Sequence, residues 1–187
     1  MKVKEAFTKI DKLHEYVALA IVDAKDYQAT NLEFVKTFVK KKVPGVYVTL
    51  SKPYETLVRE FEYLSDAKNI KFIDCISRAA GITKDSDNCV FVESPTMLEK
   101  LSLEIMNIFK EVDENTKKYL VVDSLTNLII YNDPDIVTEF FYYIINRTRT
   151  KDIHTISLAI EEEELDKYLN RLIYLNDKIL KVRDSFI

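Results

Sequence analysis

KKYLVVDSLTNLIIYN, residues 117–132, holds an apolar run from Tyr119 to Val122 that stops at Asp123 and Ser124. A short apolar run without alternation suits a parallel strand buried on both faces, because a strand with one wet face would alternate apolar with polar residues. Such a strand delivers a carboxylate and a hydroxyl together to the C-terminal edge of the sheet. Open α/β sheets bind their ligands at that edge, so function is expected there.

Upstream, residues 16–22 (YVALAIV) form a second buried run, followed by the loop 23–29. Thr30-Asn31-Leu32-Glu33 reads as a capping box that opens a helix to about residue 42, with the Thr hydroxyl and the Glu carboxylate satisfying the first free amides. A carboxylate there would repel a phosphate from the helix end that otherwise holds it. Residues 46–50, 70–75 and 89–92 read as further strands, and Ser51-Lys52-Pro53 as the start of a helix. Ser94-Pro95 and Asp133-Pro134 each place a cap before a helix-starting proline, predicting helices to about residues 112 and 149. The middle of the second, residues 140–145, is apolar nearly all round, so that helix is either fully buried or has one face against a partner.

Residues 153–160 read as a strand, and the acidic run 161–164 as a solvated helix start. Residues 171–175 and 178–182 flank Asn176-Asp177 and predict a C-terminal β-hairpin. Residues 3–14 carry apolar positions at helical spacing. Strand and helix alternate throughout, which predicts one α/β domain over residues 1–187, with an N-terminal helix over 1–14, a core over 15–182, and a mainly parallel central sheet with helices on both faces.

Composition narrows the function. With 27 basic and 31 acidic residues the net charge is −4, which argues against a broad phosphate-binding surface, so nucleic acid is an unfavoured partner. No apolar run approaches the roughly 18 residues of a membrane span, and the start is too charged for a signal peptide. No membrane partner and a cytoplasmic location are therefore expected. Cys75 and Cys89 lie in no CxxC motif and read as reduced core thiols, with a disulfide possible only if geometry allows it. His14 and His154 are far apart in the chain, and no metal site is expected. The only glycines are Gly45 and Gly81. A phosphate cradle needs several glycines close together, because its amides turn inward in conformations that a Cβ penalises, so neither GxxxxGK[ST] nor GxGxxG can be written.

Residues 44–61, PGVYVTLSKPYETLVREF, and 119–129, YLVVDSLTNLI, resemble the RecA-like ATPases of the KaiC and Rad55 group. The resemblance covers roughly residues 14–182. It implies a three-layer fold of the P-loop NTPase type, in which Asp123 stands where the family holds its Mg²⁺ shell. Elsewhere the family pattern is broken. Its phosphate loop would fall within residues 23–30, DAKDYQAT, where Lys25 is the only cation, and its acidic pair after the second strand falls on Ser51 and Lys52. Neither of those can serve as a carboxylate base.

The expectation is therefore a degenerate member without the Walker A motif. It has no catalytic residue, no cofactor, and a residual site made of Asp123, Ser124 and Lys25. Function would run through a protein partner or self-association, with Phe140, Tyr142 and Tyr143 as the contact surface. Two alternatives stay open: a nucleotide-binding protein or ATPase with a site rebuilt from Asp23, Lys25, Asp26, Asp123 and Ser124, and a DNA-binding accessory using Lys36 and residues 40–42.

Overall fold

A computed structural model describes residue 5 and residues 17–61, 64, 67–161 and 166–182. The helix expected over residues 3–14 falls outside them except for Glu5. Seven strands, β1 (Val17–Val22), β2 (Gly45–Thr49), β3 (Ile70–Asp74), β4 (Cys89–Phe91), β5 (Lys118–Asp123), β6 (Ile153–Ile160) and β7 (Lys178–Val182), form one sheet in the order β4-β3-β2-β5-β6-β1-β7. Every pairing between them is parallel.

Parallel neighbours require crossovers, and among the described residues helices supply all but the one from β3 to β4: α1 (Tyr27–Lys41), α2 (Tyr54–Glu60), α3 (Leu98–Lys110), α4 (Leu125–Tyr131), α5 (Pro134–Arg149) and α6 (Asp166–Ile173). The side-chain period of two splits the core into two layers. Tyr119 and Val121 of β5 join Tyr47, Phe72 and Ala20 under α1 and α2. Leu120 and Val122 join Val48, Ile73 and Leu19 under α3 to α6. The central strands are buried along their whole length, as their unbroken apolar runs require. Gly45 opens β2 where a Cβ would stand 3.2 Å from the Tyr119 carbonyl oxygen.

Three local expectations are corrected. The C-terminal hairpin is absent: residues 171–173 close α6, and β7 pairs parallel to β1. Leu169 and Leu172 are buried three residues apart on a helical face, and a five-residue window is too short to separate that spacing from a strand's alternation. The capping box is also absent. A 3-10 turn at Ala24–Asp26 runs straight into α1, so Thr30 and Asn31 lie buried inside the helix. Helix α3 starts at Leu98, because Ser94 instead closes a turn through its bonds to Thr96 and Met97. The Asp133 cap holds, its side chain accepting from the Asp135 amide. Cys75 and Cys89 are both buried free thiols.

Candidate functional site

The chain leaves β2 for α2 on one face of the sheet and β5 for α4 on the other, so the adjacent ends of these strands frame a crevice. Asp123 occupies it at the end of β5, opposite Thr49 in register and fully buried. Strand alternation aims its side chain toward α1, together with Tyr119 and Val121. Taking a carboxylate out of water costs several kcal/mol unless its oxygens are hydrogen-bonded.

Four side chains meet that need. Asn31 Nδ2 donates to Oδ2 at 2.6 Å, Tyr47 Oη at 2.5 Å and Ser51 Oγ at 2.9 Å. Tyr27 Oη donates to Oδ1. Tyr27 and Asn31 stand one helical turn apart on α1, and Tyr47 lies on the same face of β2. Asn31 Oδ1 also lies 2.9 Å from Tyr47 Oη, so the single phenolic proton stands between two acceptors, with the shorter contact to Asp123. Burial pushes the phenols of Tyr27 and Tyr47 well above the ordinary tyrosine range, and the charge of Asp123 adds to the shift.

Ser124 is turned to another task. The peptide joining it to Asp123 is cis, and its Oγ caps α4 by accepting from the Asn127 amide at 3.3 Å. Asn127 Nδ2 in turn donates to the Leu50 carbonyl at 2.7 Å, locking the start of α4 to the end of β2.

Between β1 and α1 the backbone amides are spent locally. The Lys25 amide donates to Asp23 Oδ1 at 3.1 Å, the Asp26 amide to the Asp23 carbonyl at 2.9 Å, and the Tyr27 amide to the Ala24 carbonyl. The buried acidic side chain of Asp26 stands at the N-cap of α1. Lys25 is 71% exposed and pairs with Asp23 at 3.7 Å. It is not among the groups that meet Asp123. Magnesium triphosphate, which the resemblance implies, does not fit these residues: the amides of residues 25–27 are bonded within the turn, and the carboxylate oxygens already hold four donors.

Sequence reading placed Asp123 at the end of a buried strand and missed the four side chains that bond to it. The one available signal was the placing of Tyr27 and Asn31 four residues apart in DAKDYQATN, concealed by assigning Tyr27 to a loop. A second buried carboxylate was also missed. Asp74, ending β3, accepts from the amides of Tyr54 (2.6 Å), Ile76 (2.7 Å) and Ser77 (2.8 Å) and from Ser77 Oγ (2.6 Å). It fixes the start of α2 and the turn after β3.

Helix α5 has one buried face, with Val137, Phe141, Ile144 and Ile145. Phe140 is half-buried against the core, edge-on to Phe141 at 5.8 Å between ring centroids. Tyr142 is 59% and Tyr143 47% exposed, with Arg147 over the Tyr143 ring. Ile136 lies two turns before Tyr143 on the same stripe and is also exposed.

No protein-family model matches the chain, and no curated protein does. Solved structures do. The KaiC-like protein PH0186 from the hyperthermophilic archaeon Pyrococcus horikoshii matches with a TM-score of 0.64 at 16% identity, over 92% of this chain and 74% of that one. The uncharacterized protein PH0321 of the same organism, solved with an unknown peptide, matches with a TM-score of 0.70 at 14% identity, over 100% of this chain and 86% of that one. The fold is a RecA-like, KaiC-like three-layer α/β fold. No described helix is long and apolar enough to cross a membrane.

Proposed function

We propose that the chain is a pseudo-ATPase, a RecA-like domain with a degenerate Walker A position that acts through protein contact, either as a homo-oligomer or as the regulatory partner of an active ATPase. The observation that carries this reading is that the polar groups at the expected nucleotide position already have partners within the chain. Asp123 is engaged by Tyr27, Asn31, Tyr47 and Ser51, and the amides after β1 bond to Asp23 and Ala24. A carboxylate so engaged serves as an anchor between β5, β2 and α1. Its rigidity would hold the outer helices in a fixed arrangement, and the exposed Tyr142 and Tyr143 on α5 offer the contact face. That PH0321 holds a peptide on the same fold agrees with a contact role.

Light scattering and a melting scan with Mg-ATP and Mg-GTP test the reading together. A dimer or larger assembly, or a partner recovered in a defined complex, is expected, with no shift from either nucleotide. A ligand at 100 times its dissociation constant would add about 2.7 kcal/mol of stability, so nucleotide binding would be plain in the scan. A monomer that binds ATP and releases phosphate would overturn the proposal.

A further inference from the structure

We infer that the cavity between α1 and α2 is a binding site for a small, uncharged aromatic molecule carrying an N–H or O–H donor. The cavity holds about 240 Å³. An engineered apolar cavity of about 150 Å³ takes up benzene, so this one suits one ring or two fused rings. Its walls are apolar, with Leu32 and Val35 from α1, Leu57 from α2, Leu64 after it and Phe72 from β3. A flat hydrocarbon frame gains from such walls by leaving water, without needing a charge.

Charge at the mouth is already balanced. Lys52, one of the lining residues, places its Nζ 2.7 Å from Glu60, and Gln28 Nε2 donates to the same carboxylate at 3.3 Å. A phosphate or carboxylate ligand would have to break the Lys52 pair to find a cation. An anion is therefore disfavoured.

The polar end of the cavity decides which neutral ligand fits. Tyr27, Tyr47 and Ser51 line it, and each hydroxyl proton is committed to Asp123. Ser124 and Asn31 also hydrogen-bond with the Tyr27 and Tyr47 hydroxyls, so what the three can still offer is their remaining oxygen lone pairs, those of Ser51 Oγ foremost. Because the carboxylate polarises them, their oxygens are better acceptors than free hydroxyls. Asn31 keeps one amide hydrogen, so acceptors outnumber donors. A ring N–H or phenolic O–H placed here completes a chain that ends on a buried charge. An isosteric ring without that hydrogen leaves the oxygens desolvated and unpaired. This site stands apart from the contact surface on α5, and binding is measured independently of assembly.

The test is an amide NMR titration of the full chain with indole, benzothiophene and indole-3-carboxylate. Indole is expected to saturate, with shifts centred on Leu32, Val35 and Leu57. Benzothiophene, of the same shape without the N–H, is expected to bind about tenfold more weakly, and the anionic indole-3-carboxylate more weakly than indole. Leu32→Trp and Ala24→Trp, at lining positions that are not fully buried, fill the space and should abolish the shifts while the melting curve remains cooperative. Absence of saturable indole binding at millimolar concentration, equal affinity for indole and benzothiophene, or shifts centred away from these three residues would each overturn the inference. The wild-type titrations decide it even if a blocking variant fails to fold.

Discussion

Tyr47 Oη lies 2.5 Å from Asp123 Oδ2, two side chains on the same face of adjacent parallel strands. Tyr47 pairs in register with Val121, so its ring must reach up the sheet to meet the carboxylate at the strand end. A small residue at position 47 would leave the crevice open to solvent from that side. The tyrosine closes it, and the closure makes Asp123 part of the core.

Removing either partner should therefore cost stability. A hydrogen bond to a buried charge contributes about 1.5–3 kcal/mol, so Tyr47→Phe is expected to lower the urea-unfolding free energy by about 2 kcal/mol. Asp123→Ala should cost more, because it strands several buried donors at once. The double variant should lose less than the sum of the two, and strict additivity in that cycle would show that the groups do not act together.

Alkaline pH should weaken the fold in two stages. The thiols of Cys75 and Cys89 are pushed up by burial first and then by the nearby Asp74 charge. The phenols of Tyr27 and Tyr47 are raised in the same way, with Asp123 as the neighbouring charge. Each group stays protonated in the folded chain where the unfolded chain would release its proton. Its contribution is thus complete below the unfolded pKa, and is lost as pH rises from there toward the folded value. Loss should begin near pH ~8.5 with the thiols and steepen above ~10 with the phenols. Between pH ~10 and ~11 the wild type should lose about 1 kcal/mol more stability than Tyr27→Phe, and parallel slopes would count against the buried phenol.

Much of this frame is legible in the sequence. The runs around Val121 and Ala20 have no polar positions, and only a sheet covered on both faces accepts such strands. The Asp133-Pro134 cap was equally plain, since a capping carboxylate and a fixed φ act within one turn. The failures came where local signals were ambiguous or distant. Residues 171–175 are too few to distinguish the two periodicities, and the capping pattern at Thr30 was overridden by a turn that had already begun the helix at Tyr27. Of the ring of donors around Asp123, only the four-residue spacing of Tyr27 and Asn31 left a trace along the chain. Ser51 and Tyr47 lie 72 and 76 residues from it in sequence, and no pattern along the chain encodes which strand ends become neighbours.

Thiol protection gives a separate check on the core. Cys75 is fully buried, Cys89 nearly so, and both are held in the unreactive protonated form. Native protein at pH 8 should react with Ellman's reagent only as fast as it opens, and urea above the unfolding midpoint should release both thiols at once. Rapid labelling of one thiol in native buffer would mean that the β3–β4 edge opens on its own.

Lys25→Ala should be nearly silent. Its pair with Asp23 is exposed, and such pairs contribute about 0–1 kcal/mol. If the residual nucleotide site were real, this variant would abolish any Mg-ATP shift in the melting scan. On the contact reading there is no shift to abolish, and the two proteins give superimposable curves with and without nucleotide.

The face of α5 is where the contact proposal meets its most direct test. Phe140 leans on the core and is unsuitable for substitution, whereas Tyr142 and Tyr143 project outward. Replacing both by lysine adds two positive charges beside Arg147 while leaving Val137, Phe141, Ile144 and Ile145 in place. Exposed substitutions usually change stability by no more than about 0.5 kcal/mol, so the monomer should keep its cooperative melt. Desolvating lysine ammonium groups at the centre of an interface is far more costly, so in light scattering the doubly substituted protein should run as a monomer where the wild type is expected to assemble. An unchanged assembly with both lysines in place would move the contact surface off α5, most directly to the exposed Ile130 and Tyr131 of α4, where the same paired substitution can be repeated.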